Sequence, residues 1–200
     1  MDIQIQGLYH SFGEKQLFQN YKLCLREGGV YGLTAPSGRG KTTLLRILLG
    51  LLSPDRGSVT PKVHYSAVFQ TDRLLPGQNA LEQLLFVRGG GRGEREECRR
   101  FLRELLPEDS LLQPVEELSG GMQRRVAIAR ALWAESDCVL MDEPFTGLDE
   151  ESLHRSADFI LEHLQGRTLL LSTHQKELLQ AYPITWVRLP EQGFIDSVLP

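Results

Sequence analysis

Two short apolar runs, Cys138–Met141 and Leu169–Leu171, limit the folds open to this chain more than any other feature. Each lies inside a segment with polar ends, DCVLMDE (137–143) and TLLLSTH (168–174). Neither alternates apolar with polar, and each is too short for a globular helix, so both read as strands buried on two faces. GGVYGLTA (28–35) and VHYSAVFQ (63–70) add two more strands. Helical patterns separate them. A leucine-rich helix is expected from Lys41 to Leu51, with leucines around its whole circumference. A helix after Ser119 places Met122, Val126, Ala129 and Trp133 on one face. Another opens with Glu150 and Glu151, which suit the helix dipole, and carries Leu153, Ala157, Ile160, Leu161 and Leu164 as one stripe. Buried strands alternating with helices imply an α/β fold with a largely parallel sheet covered on both faces.

The ends differ. Ile3 and Ile5 alternate with Gln4 and Gln6, and Leu23 and Leu25 flank Cys24, as in half-buried strands of an N-terminal antiparallel β part. The tail ITWVRLPEQGFIDSV (184–198) reads as a hairpin turning near Gln192–Gly193. From Gln78 to Leu118 the texture is helical. ALEQLLFV is one helix, GGGRG (89–93) a flexible break and EREECRRFLRELL a second helix, with Cys98, Phe101, Leu102 and Leu105 on one face. The 200 residues fit one domain: a core over about 1–77 and 133–200, with a helical subdomain inserted over about 78–132.

APSGRGKTT (35–43) lies between an expected strand and an expected helix. Phosphate groups need many backbone N–H donors facing inward, and glycine lets the chain bend and approach closely enough to supply them. The positive end of the following helix adds its dipole. Ser37, Gly38, Arg39, Gly40, Lys41, Thr42 and Thr43 are therefore the expected phosphate cradle, with Lys41 reaching the terminal phosphates and Thr42 helping to hold Mg²⁺. Ala35 stands where the usual GxxxxGK[ST] pattern has glycine, which alanine tolerates at negative φ. Asp142 ends an apolar strand, expected beside the loop strand, and is the expected Mg²⁺-side carboxylate. Glu143 follows it at the site mouth, placed to polarise a water for attack on a γ-phosphate. These features describe a P-loop NTPase core that binds ATP with Mg²⁺ and hydrolyses it.

LSGGMQRRVAIARAL (118–132) ahead of MDEPFTGLD (141–149) resembles the signature of ATP-binding-cassette ATPases. The resemblance runs over nearly the whole chain and implies roles for further residues. Phe12 matches the aromatic that stacks on adenine, and Gln70 the glutamine that touches Mg²⁺ and water. Asp149 matches a loop that crosses the dimer interface, and His174 the switch histidine at the γ-phosphate. Ser119, Gly120 and Gly121 offer a second anion site at a helix N-terminus. The resemblance implies a head-to-tail homodimer in which each phosphate loop faces the partner's signature across ATP.

The region after Gln70 is similar to importer-type transporter ATPases, most of all the nitrate, sulfonate and taurine group. That similarity implies an integral membrane permease as partner, a solute-binding protein beyond it, and a cytoplasmic site on the inner face of the cell membrane. The alternatives are a soluble mechanical ATPase of the same superfamily, serving iron–sulfur assembly or repair, and a nucleotide-gated module without turnover. Sustained heptads for a repair-type coiled coil are missing, and Glu143 and His174 argue for turnover.

A net charge of −4 gives no field to draw in nucleic acid. The most apolar stretch, LLRILLGLL (44–52), contains Arg46 and is too short to span a bilayer. The start carries no secretory signal pattern, and no appended regulatory domain is expected. Cys24, Cys98 and Cys138 lack paired spacing and read as small core residues. His10, His64, His154 and His163 show no ligand spacing, and Arg124, Arg125 and Arg130 are expected to be solvated.

Overall fold

The fold is built on two sheets whose periodicities differ as the sequence does. A computed structural model describes residues 1–88 and 92–189. Strands β1 (Ile3–Phe12), β2 (Lys15–Leu25) and β4 (Arg56–Thr60) form an antiparallel sheet in the order β2-β1-β4. Strands β3 (Val30–Thr34), β5 (Tyr65–Val68), β6 (Cys138–Asp142), β7 (Thr168–Ser172) and β8 (Thr185–Arg188) form a parallel sheet in the order β5-β6-β7-β3-β8. Every residue of β6 and β7 is buried, as unbroken apolar runs require of inner strands covered on both faces.

Helix α1 is Lys41–Leu48, α2 Ala80–Arg88, α3 Arg92–Arg103, α4 Gly120–Trp133 and α5 Glu150–Glu162. One apolar cluster joins the antiparallel sheet to α1 and one face of the parallel sheet. A second joins the other face, through Val139, Met141, Leu169 and Leu171, to α2–α5. The helical region thus shares its core with the sheet. Cys98, Leu102 and Leu105 are fully buried there and Phe101 packs against them, as their spacing indicates.

The structure departs from the sequence expectations at several points. Helix α1 ends at Leu48 because Gly50 takes φ 69°. The Gly50 and Leu51 N–H groups then close on the Ile47 and Arg46 carbonyls, a Schellman stop that only a residue at ease with positive φ completes cheaply. Within α1 itself only Arg46 is exposed, so the helix is buried on most sides as its leucines indicate, and exposed Leu51 lies beyond its end. Cys24 is exposed, because it sits out of phase with buried Leu23 and Leu25 on β2. Cys98 and Cys138 are core residues, and burial pushes both thiols up to about 12. Strand β8 pairs in parallel with β3, while the expected turn at Gln192–Gly193 lies outside the described residues. Of the GGGRG break, residues 89–91 also lie outside them, and α3 begins at Arg92.

Candidate active site

In a parallel sheet every strand ends on the same side, so residues just past adjacent strands become neighbours. Here β5 leads to Gln70, β6 to Asp142 and Glu143, β7 to His174, and β3 to the glycine-rich loop. Residues from all four come together: Ser37 through Thr43, Gln70, Glu143 and His174 line one cavity of about 350 Å³, with Phe12 on its rim. Asp142 does not sit beside the loop strand as expected, because β7 lies between β6 and β3. It lines a smaller cavity of about 100 Å³ that shares Thr42 and Gln70 with the first.

The loop is held open by its glycines. Gly38 and Gly40 take φ 72° and 96°. A Cβ on Gly40 would lie 3.0 Å from the Phe18 ring, so a side chain there would be both strained and crowded. Ala35 is absent from the positive-φ residues, and its carbonyl accepts a 3.0 Å hydrogen bond from Lys41 Nζ. Lys41 is 7% exposed, and among the described residues no carboxylate pairs with it. A buried ammonium with a carbonyl as its hydrogen-bond acceptor is poorly compensated, and a phosphate oxygen fits that deficit. The α1 N-terminus points the same way, and Lys15, unforeseen in the sequence, adds a further cation to the lining.

Opposite Lys41 the acidic side is organised by Ser172. Its hydroxyl donates to Asp142 Oδ1 at 2.7 Å and accepts from the Glu143 N–H at 3.1 Å. That bond, with a second to the Ser172 carbonyl, holds Glu143 at φ 52°, a left-handed conformation that costs a glutamate on the order of 1 kcal/mol. The carboxylate of Glu143 then meets the His174 N–H at 3.1 Å through Oε2 and His174 Nε2 at 3.1 Å through Oε1. His174 Nε2 is also 3.3 Å from Lys41 Nζ, so Lys41, His174 and Glu143 form one line across the cavity floor. Asp142 is 5% exposed, and no Lys or Arg pairs with it among the described residues. A buried carboxylate beside Thr42 and Gln70 suits a hard divalent cation such as Mg²⁺.

Ser119, Gly120, Gly121 and Asp149 are not brought to this cavity. Ser119 caps α4, accepting from the Met122 N–H at 3.3 Å, and Ser119 and Gly120 are exposed. A Cβ on Gly120 would meet nothing within 4 Å, leaving that helix end open to an incoming group. Asp149 caps α5 through a 2.7 Å bond from the Ser152 N–H, which holds its carboxyl below the usual range.

Arg124 and Arg130 reverse the expectation of solvated side chains. Arg124 is 5% exposed and donates to the Phe69 and Gln70 carbonyls at 2.7 and 2.6 Å. It also meets Asp72 at 3.1 Å. Arg130 donates to the Arg73 and Asp72 carbonyls at 2.9 and 3.0 Å. Burial raises the Asp72 pKa and outweighs the two guanidiniums, which pull it down. Helix α4 thereby grips the segment that carries Gln70. Replacing Arg124 with alanine leaves two part-buried carbonyls without their donor and Asp72 without its ion-pair partner, and is expected to cost about 3 kcal/mol in urea unfolding. Arg124→Lys should recover only part of that, because one ammonium cannot fork to both carbonyls.

A family model described as "ABC transporter" matches residues 18–146, more than half of the chain. The chain belongs to the ABC transporter family. Its matches within the family include proteins named for both directions of transport. It is 36% identical over 193 residues to the Nod factor export ATP-binding protein I of Paraburkholderia xenovorans, covering 88% of this chain and 63% of that protein. It is 38% identical over 158 residues to the aliphatic sulfonates import ATP-binding protein SsuB 1 of Nocardia farcinica, covering 79% and 64%. The chain therefore spans under two thirds of the length of these relatives. Among solved structures it superposes on a dimeric ATP-binding cassette in a post-hydrolysis state bound to ADP and Pi. The TM-score is 0.79 and the identity 26%, over 94% of this chain and 97% of that one. The ABC fold expected from the sequence, a P-loop NTPase core with a parallel sheet and an N-terminal antiparallel part, is the fold observed.

Proposed function

We propose that this chain is the ATP-binding and hydrolysing subunit of a membrane ABC transporter, coupling closure of a head-to-tail dimer to solute movement through a separate permease. The observation that carries the reading is the separation of two anion-binding ends. The cavity gathers the glycine-rich loop, Gln70, Glu143 and His174, while the exposed α4 N-terminus at Ser119 stands apart with Asp149. A second copy related by a two-fold axis would bring its Ser119–Gly121 to the first copy's loop, and the arrangement closes on itself. The dimeric cassette to which the chain is similar supports this.

In this reading Phe12, 53% exposed at the cavity rim, stacks on adenine. The loop N–H groups, Lys41 and Thr43 hold the phosphates. Thr42, Gln70 and Asp142 would hold Mg²⁺, which would neutralise charge on the phosphates. Glu143 accepts the proton of the attacking water, and His174 turns from Glu143 toward the γ-phosphate. Residues of about 78–132 act as a helical subdomain on a core of about 1–77 and 133–200, joined by the Arg124 and Arg130 straps.

The relatives named for sulfonate import and Nod factor export support a transport role for the motor itself. Among the described residues no helix is long and apolar enough to cross a membrane. In this reading a separate permease supplies the path. We place the working chain on the cytoplasmic face of the membrane, with a solute-binding protein as the further partner of an importer.

Tagging the chain in its native cell and purifying it from mildly solubilised membranes tests this. A multi-spanning protein in stoichiometric amount is expected. Recovery with soluble partners alone, and nothing from the membrane fraction, would overturn the transport reading.

A further inference from the structure

Away from the nucleotide cavity, the end of α5 meets the segment that follows α3. Glu104, Glu162 and His163 each bring one ligand atom there, all within 4.8 Å of one another. His163 Nε2 lies 2.7 Å from Glu104 Oε2. The imidazole is held in place by the rings of Phe101 and Phe159, whose centroids lie 4.7 and 4.4 Å away. Its direction is therefore fixed before any ligand arrives, as a useful metal ligand requires.

A His–Glu ion pair accounts for the 2.7 Å contact but for neither the second carboxylate nor what lies beside it. Glu104 and His163 line a cavity of about 250 Å³, and Trp133 lines it too. Trp133 is 4% exposed, and its indole N–H finds no acceptor. Arg88, 4.6 Å above the Trp133 ring, and Arg100 line that space together with the carboxylates of Glu97 and Glu104, so charge of both signs surrounds it.

We propose that Glu104, Glu162 and His163 form a binding site for a divalent transition metal of the Zn²⁺ class, with an open position facing the cavity beside Trp133. One imidazole and two carboxylates form a borderline N/O set that Zn²⁺ accepts, and three protein ligands leave a fourth position for water or an anion. Binding would widen the Glu104–His163 contact to about 3.3 Å, the edge of a tetrahedron with metal–ligand distances near 2.0–2.1 Å. The ion would tie α5 to the segment after α3 and stabilise that junction against opening.

The test uses the full chain, stripped with chelator and free of nucleotide, titrated with Zn²⁺ by calorimetry while tryptophan fluorescence is followed. One equivalent is expected, with a fluorescence change. Glu162→Gln, an exposed position, and His163→Gln should each weaken binding by about tenfold or more. Cys24→Ser should leave it unchanged. If wild type binds no Zn²⁺, or binds it as tightly in both variants, the site does not exist. If Cys24→Ser alone abolishes binding, the ligand is the exposed thiol and the proposal fails.

Discussion

Glu143→Gln is expected to lower ATP turnover by about 10²–10⁴-fold, the range that loss of a positioned general base produces, while leaving ATP binding intact. The amide keeps the shape of the side chain and can still accept the 3.1 Å bond from the His174 N–H. The left-handed backbone at this residue depends on the Ser172 contacts, which the substitution does not touch. The fold should therefore survive, and the loss should lie in kcat. Steady-state phosphate release checks this, with equilibrium nucleotide binding beside it. Wild-type turnover would remove Glu143 from its assigned role. Loss of binding together with turnover would mean that the carboxylate serves the nucleotide's grip.

Lys41→Ala should act on binding. A charge-assisted bond to phosphate in a water-poor site contributes about 1.5–3 kcal/mol, so ATP affinity should fall roughly ten- to a hundredfold or somewhat more. Stability should not fall with it. Lys41 is 7% exposed, pairs with no carboxylate among the described residues, and donates to the Ala35 carbonyl. Removing such a poorly compensated ammonium relieves about as much as it costs. A melting temperature at or above wild type, with weakened binding by calorimetry, is the expected pair of results. Unchanged affinity would contradict the role given to Lys41.

Much of this site is readable in the sequence because its logic is local. A glycine-rich turn must join a strand to a helix, and Asp142 and Glu143 must follow a buried strand; both follow from residue order. Parallel pairing then puts the strand ends together, which is why Gln70 and His174 reach the same cavity. Sheet order is less visible. Nothing in residues 138–142 or 168–172 says which run lies beside β3, and the assumption that Asp142 borders the loop strand failed on that point.

The arginine straps depart from the expected solvated side chains for a different reason, and the sequence carries a signal for them. Arg124 shares one stripe of α4 with Ala127, Ile128 and Ala131, all buried. Helical spacing alone places it on the inward face, where an arginine must find acceptors. Which acceptors it finds, the carbonyls of Phe69 and Gln70, is a tertiary fact. Lys15 gave no such signal, since its approach to Gly38 depends on how β2 packs over the loop. The alternation that puts Leu23 and Leu25 inside also requires Cys24 to face outward, so its exposure is legible in the sequence.

The central claim is that one ATP site needs two chains. The most direct measurement is the molar mass of Glu143→Gln by light scattering, with and without excess Mg·ATP. Blocked turnover should trap the sandwich, so the account predicts the mass of one chain without nucleotide and of two chains with it. A variant that binds Mg·ATP yet keeps the mass of one chain would contradict the composite site.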